Sequence, residues 1–325
     1  MKAIVCKQYG QPSNLVYEDV VSPKPKENEV LIQVKTCGVN FPDTLIIQGL
    51  YQFKPDVPFI PGSDVAGVIK EVGIDVKHLN IGDEVFGFVM QGGYAKEVAV
   101  PANVCFKKPP KMDFSVAASF MIAYGTSYHA LKDRAQLKQG ETLLVLGASG
   151  GVGLAAIELG KLLGAKVIAA ASSKEKLELC KQYGADEVIN YTEEDLKSKI
   201  KELTSGKGAD VVYDPVGGDF SEPALRGTAW EGRYLVIGFA AGQIPKVPLN
   251  LALLKGCSIV GVFWGNFAMK NPKGNMDNTL QLMKWMEEGR VQPHIYKIYP
   301  LEETPNALEE MMNRKVRGKV VIQCS

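Results

Sequence analysis

Between Leu143 and Gly153 the chain reads Leu-Leu-Val-Leu-Gly-Ala-Ser-Gly-Gly-Val-Gly, an apolar run that breaks into glycines and then enters a helical pattern. Glycines in that place allow a tight turn, close backbone approach to a pyrophosphate and close helix–strand packing, while the following helix presents free N–H groups to the anion. The strand–turn–helix setting is what a dinucleotide site requires, and it predicts that Ser149, Gly150, Gly151, Val152 and Gly153 hold the phosphates. The strict G-x-G-x-x-G form is not kept, since Ala148 stands where its first glycine would be.

About 20 residues further on, at the end of the next β run, a carboxylate would hydrogen-bond the ribose hydroxyls and repel a 2′-phosphate. The sequence there is Ala169-Ala170-Ala171-Ser172-Ser173-Lys174-Glu175-Lys176. With Ala171 in place of an acid, and with Ser172, Ser173 and Lys176 offering hydroxyls and a cation, NADPH fits better than NADH. The two serines also suit the cap of a helix beginning near Lys174.

The elements that must position these residues are legible as patterns. From Met1 to about Pro110 the chain has short β segments broken by Gly and Pro, such as Val30–Val34, Val65–Ile69 and Ala95–Val100, which suggests a barrel-like β domain. Beyond the Lys107-Lys108-Pro109-Pro110 break, helical and β patterns alternate: Phe114–Leu131 helix, Thr142–Leu146 strand, Val152–Leu163 helix, Lys166–Ala171 strand, Lys174–Tyr183 helix, then β at 187–189, 210–213 and 233–237. Near-continuous apolar strands in such alternation predict an α/β fold, a doubly wound parallel sheet covered on both faces. The tail from Asn275 is mixed and ends in a strand, Lys319–Ile322.

Composition excludes several classes. The 325 residues carry 37 Lys+Arg against 36 Asp+Glu, so there is no basic surplus to neutralise a nucleic acid backbone. No run of eighteen apolar residues appears, and the first residues read as a strand with neither a secretory core nor a transit pattern, so a cytoplasmic protein without membrane contact is expected. The six cysteines are scattered without a CxxC pair and read as free thiols. His78, His129 and His294 lie far apart, outside any paired ligand motif, and no metal site is expected.

Taken together, Cys37–Asp43, Pro61–Val68, Gly82–Val85, Gly92–Ala95, Gly147–Gly153, Asn190-Tyr191 and Asp210–Gly217 resemble the medium-chain dehydrogenase/reductase superfamily over essentially the whole chain, and within it the zinc-independent quinone oxidoreductases. The resemblance implies a GroES-like β-barrel domain from residues 1–118 and 268–325, a Rossmann domain from 119–267, an active site in the cleft between them, and a homodimer paired edge to edge along Ser258–Val262. The zinc-dependent branch uses cysteine and histidine ligands. Here Cys37 matches the first, but Ser63 stands in place of the His, Ile122 falls near the third, and no cysteine-rich lobe lies between Val89 and Tyr94. One thiol cannot make a tetrahedral site.

The same resemblance implies further cofactor contacts. Tyr191 would reach the adenosine side and the 2′-phosphate, Gly217 would lie in a ligand-collecting loop, and Ile237-Gly238-Phe239 with Val262-Phe263-Trp264 would hold the nicotinamide; Trp264 reads equally as core. Asn40 and Tyr51 stand where the family places polar groups facing the nicotinamide and the acceptor. Asn40 can donate and accept, or cap the helix that follows; Tyr51 can donate its phenolic proton, or be an ordinary half-buried tyrosine. Leu45 replaces a tyrosine found in several quinone oxidoreductases, which leaves Tyr51 as the main hydroxyl. The implied activity is NADPH-dependent hydride transfer to a quinone or similar conjugated carbonyl. The Gly49-Leu50-Tyr51 placement is also similar to that of 2-enoyl thioester reductases, and a NADPH-binding protein with little turnover is the third reading.

Overall fold

The computed structural model describes residues 1–325. Seven strands come from the first part of the chain: β1 (Lys2–Val5), β2 (Val16–Asp19), β3 (Glu29–Val39), β4 (Asp64–Val72), β5 (Glu84–Phe88), β6 (Glu97–Pro101) and β7 (Cys105–Lys107). The middle supplies β8 (Thr142–Leu146), β9 (Lys166–Ala171), β10 (Glu187–Asn190), β11 (Ala209–Asp214), β12 (Thr228–Val236) and β13 (Ser258–Gly261). The tail adds β14 (Ile295–Pro300) and β15 (Lys319–Gln323). These elements form two compact units, Met1–Ile122 with Pro293–Ser325, and Ala123–Gln292. The divisions that the resemblance implies, 118/119 and 267/268, lie earlier in the chain, the second of them because the helix Pro272–Glu287 stays with the second unit.

In the first unit a seven-stranded sheet runs β14-β15-β3-β4-β5-β7, with β6 also paired to β3. Ile32, Val34, Val65, Val85 and Val320 of this sheet are fully buried in one core. The long strand β3 is the hub. Its end at Thr36–Val39 pairs antiparallel with Val320–Gln323 of β15, so the last strand of the chain lies beside the strand end that leads directly to Asn40. This explains in structural terms why a mixed tail closes on a β strand.

The second unit is a six-stranded parallel sheet in the order β10-β9-β8-β11-β12-β13. Numbered from β8 as the first strand, this is the 3-2-1-4-5-6 order in which the winding reverses between β8 and β11, and ligands collect outside the strand C-termini at such a reversal. Leu143, Leu144, Val145 and Leu146 have no exposed surface, as a strand covered on both faces demands.

One expected element is interrupted. The helix foreseen over Phe114–Leu131 is two helices, Phe114–Ala117 and Met121–Tyr128, followed by a π-helical turn to Arg134. At the break the Ile122 N–H donates to the Asp64 carboxylate at 3.4 Å, and the Ala118 carbonyl lies against Gly38, where a Cβ would come within 1.9 Å of it. A tertiary acceptor has replaced the carbonyl one turn back.

Candidate functional site

At the end of β8 the backbone reverses through Gly147, whose φ of +55° suits glycine. The Ala148 N–H is tied to the Ala170 carbonyl of β9 at 3.1 Å, and the Gly150 N–H to the Gly147 carbonyl at 3.0 Å. The helix Gly151–Leu162 then starts with Gly150 as its N-cap and no side chain over its end. Its first-turn N–H groups have no carbonyl ahead of them, so the end is left for an anion. Gly153 is required for a different reason: a Cβ there would stand 2.6 Å from the carbonyl oxygens of Gly147 and Ala148. Helix and turn pack backbone to backbone at that point.

Strands β9 and β10 end in register, Ala171 opposite Asn190, which places Ser172 beside Tyr191. Lys176 Nζ donates to Ser172 Oγ at 3.1 Å, and Ser173 caps its helix by accepting the Lys176 N–H at 3.4 Å. Capping and phosphate binding are compatible, because the Ser173 hydroxyl proton is still available to donate. Tyr191 lies 4.3 Å, centroid to centroid, from Phe220. Hydroxyls, an ammonium and an aromatic pair thus share one corner.

Gly217 follows β11 in a loop shaped by a residue that sequence reasoning passed over. Asp214, nearly fully buried, accepts the N–H groups of Val216 (2.8 Å) and Gly217 (2.9 Å) and the hydroxyls of Ser221 (2.8 Å) and Tyr234. Its position within the quoted Asp210–Gly217 stretch, an acid closing an apolar strand, was the available signal. Ile237 and Gly238 return their N–H groups to the Asp214 carbonyl, and Val262 donates to Val236 O at 3.0 Å, so the two nicotinamide candidates follow β12 and β13 side by side. The Trp264 side chain turns inward: it is buried, packs on Gly125 and donates to Asn275 Oδ1 at 3.0 Å. Every candidate cofactor residue therefore lies at the C-terminal edge of this one sheet. A groove of about 720 Å³ borders that set at Gly218, with charged side chains such as Asp195, Arg226 and Lys246 in its lining; the strand-end chemistry marks the site better than this hollow does.

In the first unit Asn40 occupies the N-cap position of the helix Phe41–Ile46. Asp43 closes the helix start by accepting the Asn40 N–H at 2.8 Å, while the Asn40 amide faces a buried charged cluster. Lys319 Nζ donates to Asn40 Oδ1 at 2.6 Å and to Val39 O at 3.0 Å, and stands 3.9 Å from Asp64. Asn40 Nδ2 donates to Gly38 O (3.2 Å) and Asp64 Oδ2 (3.4 Å). Both amide hydrogens are committed, so what Asn40 retains is a lone pair on Oδ1: it can receive a hydroxyl, not donate to a carbonyl.

Two carboxylates and one ammonium share this buried cluster. Burial pushes Asp64 up to about 7 against the pull of Lys319, raises Asp43 despite donors from Tyr94, Asn40 and Ser63, and lowers Lys319. Asp64 Oδ1 has no hydrogen-bond partner. Neither Asp64 nor Lys319 was foreseen as part of a site, since only the β3–β15 pairing brings 319 to 40. Tyr51 lies on the edge of the same core with its hydroxyl unbonded within the protein; burial and the Asp43 charge hold its proton on more firmly than usual.

A family model described as alcohol dehydrogenase GroES-like domain matches residues 26–110, and one described as zinc-binding dehydrogenase matches 151–285. The chain is 40% identical over 325 residues to quinone oxidoreductase-like protein 2 homolog of Nematostella vectensis, covering 99% of this chain and 88% of that one. It is 35% identical to human quinone oxidoreductase, covering 99% and 97%. The chain belongs to the quinone oxidoreductase family. Among solved structures, Escherichia coli quinone oxidoreductase complexed with NADPH superimposes with a TM-score of 0.93 at 30% identity, covering 99% of this chain and 100% of that one. CurK enoyl reductase gives 0.90 at 26%, covering 100% and 99%.

Within this quinone oxidoreductase relative the residues do not fit the zinc implied by the second model's description. Cys37 is fully buried with its thiol pK pushed well up, Ser63 donates to Asp43 at 3.3 Å, Ile122 has an aliphatic side chain, and no three His, Cys, Asp or Glu side chains gather as a ligand set.

Proposed function

We propose that this chain is an NADPH-dependent reductase that transfers hydride to a quinone or a similar electron-poor conjugated carbonyl, without zinc. The observation that carries the reading is the strand-end set of the second unit: a bare helix N-terminus after β8 and, after β9, a Ser172–Lys176 pair where an acid would select NADH. The NADPH bound to the related Escherichia coli structure supports it. When bound, NADPH supplies the hydride. The N–H groups of Gly151 to Gly153 receive the pyrophosphate, and Ser172, Ser173, Lys176 and Tyr191 receive the 2′-phosphate side. Gly217, Ile237–Phe239 and Val262–Trp264 border the nicotinamide through their backbone. Asn40, with only an acceptor left, orients a ribose hydroxyl. Tyr51 is then the donor toward an acceptor oxygen or carbon, protonated at neutral pH as any tyrosine is.

The homodimer we propose uses the open edge of β13. Ile259 on that edge and the neighbouring Leu253 (79% exposed) and Leu254 (67%) present apolar surface where a second copy would continue the sheet. Six free, buried cysteines suit the reducing cytoplasm. The likeness to CurK enoyl reductase favours a second reading, reduction of a 2-enoyl thioester.

Tyr51→Phe separates the two. Quinone oxygens take protons readily from water, so NADPH oxidation by an ortho-quinone should fall less than about tenfold, whereas enoyl reduction, which needs a positioned acid, should fall about a hundredfold. Equal losses would remove Tyr51 as an acid, and turnover of the thioester alone would replace the leading reading. Silence with both acceptors would leave a NADPH-binding protein.

A further inference from the structure

The chain passes between its two units twice, at Ile122/Ala123 and at Gln292/Pro293. Tyr124, the second residue of the second unit, and Gln292, its last, meet on one side chain. Glu158, in the helix Gly151–Leu162, accepts the Tyr124 hydroxyl on Oε2 and the Gln292 backbone N–H on Oε1 at 3.1 Å. Tyr124 is fully buried, and Gln292, which precedes a proline, lies in irregular backbone where no helical partner holds it. We propose that Glu158 is a clasp that fixes both crossing segments at once, a positioning residue whose ionised carboxylate holds them and whose protonated form releases the Gln292 side.

The surroundings support a clasp that responds to protons. Glu158 lines a surface cavity of about 510 Å³ together with Tyr183, Lys161, Arg290 and Gln292, so a proton can reach it. The charged groups facing it are engaged elsewhere: Lys161 pairs with Asp186 at 2.7 Å, and Arg290 pairs with Glu288 at 3.4 Å and lies over the Trp285 ring. Tyr124 and Tyr183 are neutral, both with pK values raised, and no cation offsets the burial that moves Glu158 up to about 7. Once protonated, the carboxyl accepts the Gln292 N–H as a neutral group, and that bond weakens.

The test is amide hydrogen exchange on the full-length protein between pH 5.5 and 8.5, each rate divided by its intrinsic value. In the wild type, protection of Gln292 should fall at least about tenfold on acidification through pH 7. In Glu158→Gln, which loses the charge that strengthens both bonds and one of the two oxygens that make them, Gln292 and the 123–126 segment should both be about tenfold less protected at pH 8 with no pH step; Tyr124→Phe should loosen the first crossing and leave Gln292 protected. Should Glu158→Gln fail to fold, the wild-type profile and Tyr124→Phe decide the matter. A pH-independent Gln292, or an unchanged one in Glu158→Gln, overturns the clasp. The kinetic expectation, which alone rests on the reductase reading, is a several-fold rise in acceptor KM in Glu158→Gln with NADPH affinity unchanged; absence of turnover would remove that reading and leave the exchange result standing.

Discussion

Two glycines of the turn separate a ligand's space from the protein's own. At Gly150 an added Cβ would meet nothing closer than the Gly147 carbonyl oxygen at 3.4 Å, and its φ of −77° suits alanine. Replacing glycine by alanine at an N-cap costs about 0.5–1 kcal/mol, and the reduced freedom of the unfolded chain returns about 0.4–1 kcal/mol. Gly150→Ala should therefore unfold within about 0.5 kcal/mol of the wild type. Its methyl group, however, stands at the mouth of the proposed anion site. Loss of one charge-assisted hydrogen bond there is worth about 1.5–3 kcal/mol, or roughly 10- to 150-fold in Kd. Gly153→Ala is the contrast, because its Cβ would lie 2.6 Å from two backbone oxygens, and overpacking of that kind destabilises by about 1–3 kcal/mol before any ligand is present. Denaturant unfolding without ligand, beside NADPH titration by fluorescence, reads both quantities. If Gly150→Ala binds NADPH as the wild type does, the phosphates do not lie against this helix start and the reasoning fails.

Lys176→Ala should weaken NADPH about 10- to 100-fold and leave NADH within twofold, since a 2′-phosphate is the group that separates the two; parallel losses in the same titration would remove Lys176 from phosphate recognition. Lys319→Met strands two buried carboxylates and should destabilise the protein by about 3–5 kcal/mol at pH 8. Burial holds Asp64 up at about 7 even against the pull of Lys319, so removing Lys319 raises it further and protonation relieves the variant at a higher pH than in the wild type; denaturation at pH 5.5 should therefore show a smaller deficit than at pH 8, and an equal one would refute the charge argument.

What the sequence made legible is what local patterning specifies. The Val145–Gly153 run, the βα alternation and the Ser172–Lys176 stretch each carry their reason in neighbouring residues, and each takes the expected form: the turn after β8, the parallel sheet, the Ser173 cap. Long-range matters were hidden. Lys319 opens an ordinary apolar strand, and only the pairing of β15 with β3 places its ammonium on Asn40 Oδ1, while Gly38 O and Asp64 take the amide hydrogens and leave Asn40 an acceptor alone. The helix expected through Phe114–Leu131 breaks because Asp64, some sixty residues earlier, takes the Ile122 N–H. Trp264 shows the converse, an aromatic beside a strand end whose ring belongs to the core. Buried charges and tertiary acceptors leave no period in a sequence.

The central claim is tested most directly by NADPH oxidation in chelator-treated protein, with an ortho-quinone and a short 2-enoyl thioester assayed side by side. The account predicts quinone turnover that prefers NADPH to NADH and is unchanged by the chelator. Absence of quinone turnover, or activity that vanishes on chelation and returns with zinc, would contradict it.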